Sequence, residues 1–172
     1  MSQNEKYIPA LNQGWLTPLY DPLLKWGMRE ETFKRYLVDH SHLTAGQKVL
    51  DLGCGTGTLT IQIKQFLPQI ELFGLDGDPS VLQIARSKAE TTGADIKWEE
   101  GLAYDLPYPV ASFDRVISSL MIHHLTAPNK LKAFREVMRI LKPGGEYHLL
   151  DFGKPTSLGM RLISILLRST SV

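Results

Sequence analysis

Three glycines at alternate positions, Gly53, Gly55 and Gly57, stand between the apolar run Val49-Leu50-Asp51-Leu52 and a segment of helical spacing. Without a Cβ at these points the chain can turn tightly and bring its backbone against a ligand. That pattern alone is weak, and its neighbours give it direction. The dinucleotide fingerprint asks for glycine at the sixth place counted from Gly53, where this sequence has Thr58. An ionised Asp51, two residues before the first glycine, sits poorly beside a phosphate and suits a ligand end carrying an ammonium or a sulfonium. Asp76, 25 residues after Asp51 and at the end of a second apolar run, can accept hydrogen bonds from two ribose hydroxyls. The combination points to an adenosine-type ligand with a cationic end. Either aspartate taken alone has a plainer role as a cap on its neighbouring turn or loop.

These residues need elements to hold them. Lys48-Val49-Leu50-Asp51 reads as a strand, and Leu59, Ile63, Phe66 and Leu67 share one face of the helix that follows the glycine turn. Ile70 to Leu75 reads as a second strand; Asp78-Pro79 opens a helix that carries Val81, Ile84, Ala85 and Ala89 on one face and ends at Gly93. Further strands are expected at Asp95 to Glu99, Asp114 to Ser118 and Glu146 to Asp151. A helix from about Asn129 to Leu141 precedes the last of them, stopped by Pro143-Gly144-Gly145. Upstream, Asp21-Pro22 and the apolar Phe33, Tyr36 and Leu37 predict N-terminal helices ahead of Ala45-Gly46. Strands alternating with helices call for an α/β, doubly wound Rossmann-like parallel sheet with right-handed crossovers. Ligands of such sheets bind beyond the carboxyl ends of the strands, where the glycine turn stands.

At 172 residues and 43% apolar content the chain is sized for one domain, with a helical cap over 1–44, a core over 45–155 and a last helix over 156–172. Its 19 basic and 18 acidic residues give a formal charge of +1, so no global field favours nucleic acid, and no basic stripe appears. Cys54 is the only cysteine, which rules out an internal disulfide and fits a reducing, cytoplasmic setting. The first twenty residues lack the pattern of a secretory signal, and Leu158 to Leu167 is too short to span a bilayer.

Taken in order, four segments resemble those of class I S-adenosylmethionine-dependent methyltransferases. They are Val49 to Gly57, Gly74-Leu75-Asp76, Leu106-Pro107-Tyr108 with Ser112-Phe113-Asp114, and Leu141-Lys142-Pro143-Gly144-Gly145. The resemblance covers about residues 15 to 155 and is strongest to the type 11 domain group, which includes the ubiquinone and menaquinone biosynthesis C-methyltransferases. It implies that Gly53, Cys54, Gly55 and Gly57 lie along the methionine part of S-adenosylmethionine, that Asp51 orients that region and that Asp76 holds the ribose. Gly77, Asp78, Leu102, Ala103 and Ser119 would flank the nucleoside, and Tyr20 would close over it, unless that tyrosine simply packs in the core. Relatives usually have Asp where this chain has Leu102. The change removes a charge-assisted hydrogen bond to the adenine amino group worth about 1.5–3 kcal/mol when well formed.

The activity so implied is methyl transfer to a small-molecule acceptor, giving S-adenosyl-L-homocysteine as product. The sulfonium supplies the leaving group, so the protein mainly positions the reactants and excludes water. An oxygen or carbon acceptor that loses a proton gains from a base near neutrality, and His123 and His124 follow the fourth strand where one could stand. The plainer reading packs one ring under the loop and leaves the other in solvent. Adjacent histidines with no acidic or i, i+4 partner do not compose a zinc site, and no metal is expected. Asp151 ranks below the histidines, since it can equally cap the turn before Gly153. Relatives continue past the fifth strand with a helix and two strands, so this chain reads as a minimal or truncated version. Its fifth strand and last helix would then favour a homodimer. A cofactor-binding module with little turnover and, less well supported, an NAD(P)-dependent oxidoreductase are the competing functions.

Overall fold

A computed structural model describes residues 30–151; Tyr20, Asp21-Pro22 and the helix expected after 156 lie outside them. Helix α1 (Glu30–Asp39) leads to strand β1 (Lys48–Leu52), followed by α2 (Thr58–Phe66), β2 (Glu71–Asp76), α3 (Pro79–Thr92) and β3 (Lys97–Glu100). Then come β4 (Phe113–Ser119), a short 3-10 turn (Ile122–His124), α4 (Ala127–Ile140) and β5 (Leu141–Leu150). The five strands form one sheet in the order β3-β2-β1-β4-β5, with every pairing parallel. The chain runs outward from β1 to β3 and then returns to β4 on the other side of β1. That reversal puts the switch point between the carboxyl ends of β1 and β4.

Alternation along the buried strands sorts the core into two layers. Val49, Leu72 and Ile117 pack with Leu37 of α1 and with Leu59 and Ile63 of α2. Leu50, Leu52, Phe73, Leu75 and Val116 pack instead with Val137 and Ile140 of α4. Helix α3 starts as expected, with Asp78 accepting from the Ser80 amide at 2.8 Å, and it ends at Gly93 in the left-handed region, φ 66°.

Two of the recognised segments are joints of the scaffold. The Asp114 carboxylate takes the Lys48 amide at 2.8 Å and both its oxygens meet the Lys142 ammonium at 2.8 and 2.9 Å, tying the starts of β1, β4 and β5 together. Arg139 of α4 donates to the carbonyls of Leu106 and Tyr108, and Glu136 accepts from the Leu106 amide, which pins the segment before β4 onto α4. The fifth strand differs from expectation. It begins at Leu141, directly after α4, and Pro143-Gly144-Gly145 forms a bulge inside it. Between the pairs Phe113↔Leu141 and Arg115↔Glu146, β4 advances two residues while β5 advances five. Gly144 takes φ 78° to make that step.

Candidate functional site

At the carboxyl end of β1 the chain leaves the sheet through Gly53, Gly55 and Gly57, all with positive φ. The amides of Gly53 and Cys54 both donate to the Leu75 carbonyl, at 2.8 and 3.1 Å, so the turn is strung across the end of β2. The three glycines do different work. A Cβ on Gly53 would lie 2.2 Å from the Met121 Cγ, and one on Gly57 would meet Trp98 at 2.6 Å and Ala85 at 2.8 Å. Around Gly55 nothing lies within 4 Å of that point. The outer two glycines let side chains from β3, α3 and the segment after β4 press against the turn; the middle one faces open space where backbone can meet a ligand.

Asp76, at the end of β2, organises this space. One carboxylate oxygen accepts the Gly55 amide at 2.8 Å, the other accepts the Asp78 amide at 3.0 Å, and the Asp76 carbonyl accepts the Gly101 amide at 3.0 Å. A carboxylate oxygen can accept more than one hydrogen bond, so these oxygens can also meet a ligand hydroxyl. Burial pushes the Asp76 carboxyl up, opposed by the amides of Asp78 and Gly55. Gly77 follows in the same turn, while Asp78 spends one oxygen on the Ser80 amide and hydroxyl, at 2.8 and 2.6 Å, and so caps α3.

Asp51 is brought to the site's floor and not to its open side. It is 1% exposed, faces α2 and accepts from the Thr60 hydroxyl at 2.6 Å. Burial pushes its carboxyl up to about 6, against the pull of the Thr60 hydrogen bond and of the Lys34 charge. A cationic ligand end above this floor would favour the ionised form. Cys54 lies between Asp51 and Asp76, and desolvation with both negative charges drives its thiol well up, so it stays protonated.

Leu102 and Ala103 occupy the turn after β3, where the Asp105 amide donates to the Leu102 carbonyl at 3.0 Å and Ala103 packs against the α4 side of the core. Ser119 ends β4 opposite Leu150 and is half-buried. Beyond it Leu120, with φ 55°, turns the chain into Met121 and the 3-10 turn that carries the two histidines.

The structure pairs His123 with Asp151. The ring Nδ1 lies 2.6 Å from Asp151 Oδ1, and the His123 amide donates to Asp151 Oδ2 at 2.9 Å, so one carboxylate fixes both the ring and its backbone. His124 stacks on His123 with ring centroids 4.1 Å apart. Desolvation above all holds the His124 ring down at about 4, so it is neutral at pH 7. Met121 connects the two halves of the site: it fills the space beside Gly53 and stands two residues before His123.

Three contributors have no signature in the sequence. Lys88 of α3 donates to the hydroxyls of Thr56 and Thr58 at 3.0 and 3.3 Å, which explains why a threonine serves at the sixth place of the turn. Trp98 packs over Gly57 and Gly74, and Met121 covers Gly53. A demand for glycine marks that something comes close, and only the fold says what.

A family model described as a methyltransferase domain matches residues 49–145. Demethylmenaquinone methyltransferase from Deinococcus radiodurans is 35% identical over 145 residues, a match covering 83% of this chain and 59% of that protein, so the chain spans little more than half of that relative. Among solved structures, the YcgJ protein of Bacillus subtilis superposes with a TM-score of 0.70 at 27% identity over 83% of this chain and 61% of that one. An S-adenosylmethionine-dependent methyltransferase from Aquifex aeolicus shares the fold with a TM-score of 0.65 at 18% identity, covering 80% of this chain and 78% of that one. Among the described residues no helix is long and apolar enough to cross a membrane.

Proposed function

This chain belongs to the methyltransferase domain family, whose cofactor is S-adenosylmethionine, and from that premise we propose that it transfers a methyl group to a small, apolar aromatic acceptor, with His123 as the base. The cofactor fits the residues present: the open space at Gly55, the two Asp76 oxygens at the end of β2 and the buried acid Asp51 beneath them suit a nucleoside with a positive end. When bound it supplies an electrophilic methyl group on a sulfonium that leaves as a neutral thioether. Demethylmenaquinone is the acceptor named for the Deinococcus relative, and it supports this reading.

The observation that carries the proposal is the His123–Asp151 pair, 2.6 Å apart at the carboxyl ends of β4 and β5, on the ligand side of the switch point. With Nδ1–H donating to the carboxylate, the imidazole lone pair resides on Nε2, the atom suited to take an acceptor proton. Asp151 holds that tautomer and stabilises the imidazolium that forms. Neutral His124 stacked alongside adds no competing positive charge. Met121 and Leu120 position this turn against Gly53, so the base and the cofactor cradle share one frame.

Titration calorimetry with S-adenosylmethionine and S-adenosylhomocysteine tests the binding half. One site per chain with micromolar affinity is expected, and absence of heat for both ligands rejects the proposal. The charge balance and cysteine content support a cytoplasmic setting. The outer strand β5, unpaired on its far side among the described residues, supports a homodimer. Light scattering at micromolar concentration should give twice the 19.3 kDa chain mass, and a single chain mass rejects the dimer.

A further inference from the structure

Away from the cofactor end, strand β5 carries a second cluster of ionisable groups. Glu146 and His148, two residues apart, point to the same face of the sheet, the one that α1 and α2 cover. His42, in the connection from α1 to β1, reaches the same place from 104 residues away. His42 Nδ1 lies 3.0 Å and His148 Nε2 lies 2.9 Å from the same carboxylate oxygen, Glu146 Oε2. The two rings meet edge to face with centroids 5.8 Å apart. All three donor atoms fall within 4.8 Å of one another.

We propose that His42, Glu146 and His148 form a binding site for a borderline divalent ion, zinc above all, which clamps the α1–β1 connection to the outer strand of the sheet. Two imidazoles and one carboxylate are a donor set zinc accepts, and tetrahedral bonds of about 2.0–2.1 Å hold donors about 3.3 Å apart. The two N···O spacings, 3.0 and 2.9 Å, need to open by only a few tenths of an ångström. The metal replaces two N–H···O contacts with bonds to the same three atoms, and solvent takes the fourth position, because His42 is exposed. His42 adopts φ 47°, a left-handed conformation that a non-glycine residue sustains where surrounding contacts fix it.

The other charged group at the cluster is Arg115 of β4, whose Nη2 lies 3.5 Å from Glu146 Oε1. Its charge opposes a cation. The same contact orients the carboxylate, leaving Oε2 toward the imidazoles, as partners behind a metal ligand commonly do. Among the described residues the hydrogen bonds and ion pairs of these three side chains run to one another and to Arg115, so the metal reading stands or falls separately from the activity.

The test uses the untagged full chain, because a histidine tag binds the same ions. Addition of one equivalent of Co(II) should produce the visible d–d bands of a low-coordinate nitrogen–oxygen site, and Zn(II) should bleach them. His148→Ala and His42→Ala, each checked for native far-UV circular dichroism, should weaken the binding at least 10-fold, and so should Glu146→Gln. Wild-type thermal stability gives a readout that needs no variant: Zn(II) at 100 µM should raise Tm and a chelator should reverse the rise. Absence of both the Co(II) bands and the Zn(II) shift in Tm in the wild type overturns the site, as do bands of unchanged strength in the folded His42→Ala/His148→Ala double variant.

Discussion

Two histidine–carboxylate groups hang on the same strand, and they are built for different chemistry. At the carboxyl end of β5, Asp151 gives both oxygens to one residue, His123, binding its ring at Nδ1 and its amide. Further back on β5, Glu146 offers one oxygen to two rings from opposite ends of the chain. A carboxylate held against one imidazole Nδ1 fixes its tautomer and makes the other nitrogen a base. A carboxylate shared between two imidazoles gathers three donors around a point, which is the geometry of a metal ligand set. Both places join histidine to a carboxylate; how the carboxylate is shared differs.

The largest effect that sharpens this contrast is expected at the first group. Asp151→Asn keeps the shape while placing an amide against Nδ1, and it should lower kcat by about 10²-fold, in the range general-base catalysis supplies, with little change in cofactor affinity. At the second group, Glu146→Gln should leave kcat near wild type, because the residue lies outside the site. A matching loss of kcat in both variants would erase the distinction between the two groups.

Next in size is Leu102→Asp. Restoring a carboxylate at the adenine edge should tighten S-adenosylmethionine binding by about 10-fold or more in calorimetry, from a charge-assisted hydrogen bond of about 1.5–3 kcal/mol. Unchanged affinity would mean that the turn after β3 does not meet the ring.

Gly53→Ala should destabilise the fold by about 1–3 kcal/mol, since a Cβ there collides with Met121 and φ is 75°. Adding Met121→Ala should recover part of that loss in urea melts. No recovery would show that backbone strain dominates over the collision.

The smallest effects are the pH terms, and they have opposite signs. Folded His124 takes its proton only near pH 4, below the ordinary 6.5, so the unfolded state holds more protons in between and stability falls as pH drops through that window. Folded Asp51 keeps its proton up to about 6, above the ordinary 3.8, so the native state holds more protons there and stability grows as pH falls from 6 toward 3.8. His124→Asn should therefore make the chain less acid-sensitive between pH 6.5 and 4, and Asp51→Asn more so. Chemical denaturation across that range measures both slopes, and equal slopes in the two variants would refute the assignment.

Much of the fold was legible because burial writes itself into periodicity. The strand at Val49, the helix opened by Asp78-Pro79 and closed by Gly93, and the helix ahead of Leu141 stand close to where the spacing put them. The start of β5 was not legible. Pro-Gly-Gly normally ends an element, and only pairing with β4 reveals it as a bulge. In the site, Asp76 and the glycines were readable from type and spacing, while the depth of Asp51 was not, because a strand-end aspartate can face either layer. The partnership of His123 with Asp151 crosses 28 residues, and that of His42 with Glu146 crosses 104. Sequence supplied the members of the first group without the bond between them. It gave no sign of the second, since neither His42 nor Glu146 lies in a ligand-spaced motif.

The most direct measurement follows a labelled methyl group from S-adenosylmethionine to demethylmenaquinone, the acceptor named for the Deinococcus relative, with the wild-type chain and His123→Ala assayed side by side after calorimetry has shown equal cofactor binding. Transfer by the wild type, reduced at least 100-fold in His123→Ala and not restored there by added zinc, is the predicted result. No transfer by a wild-type chain that binds the cofactor, or transfer undiminished in His123→Ala, would contradict it.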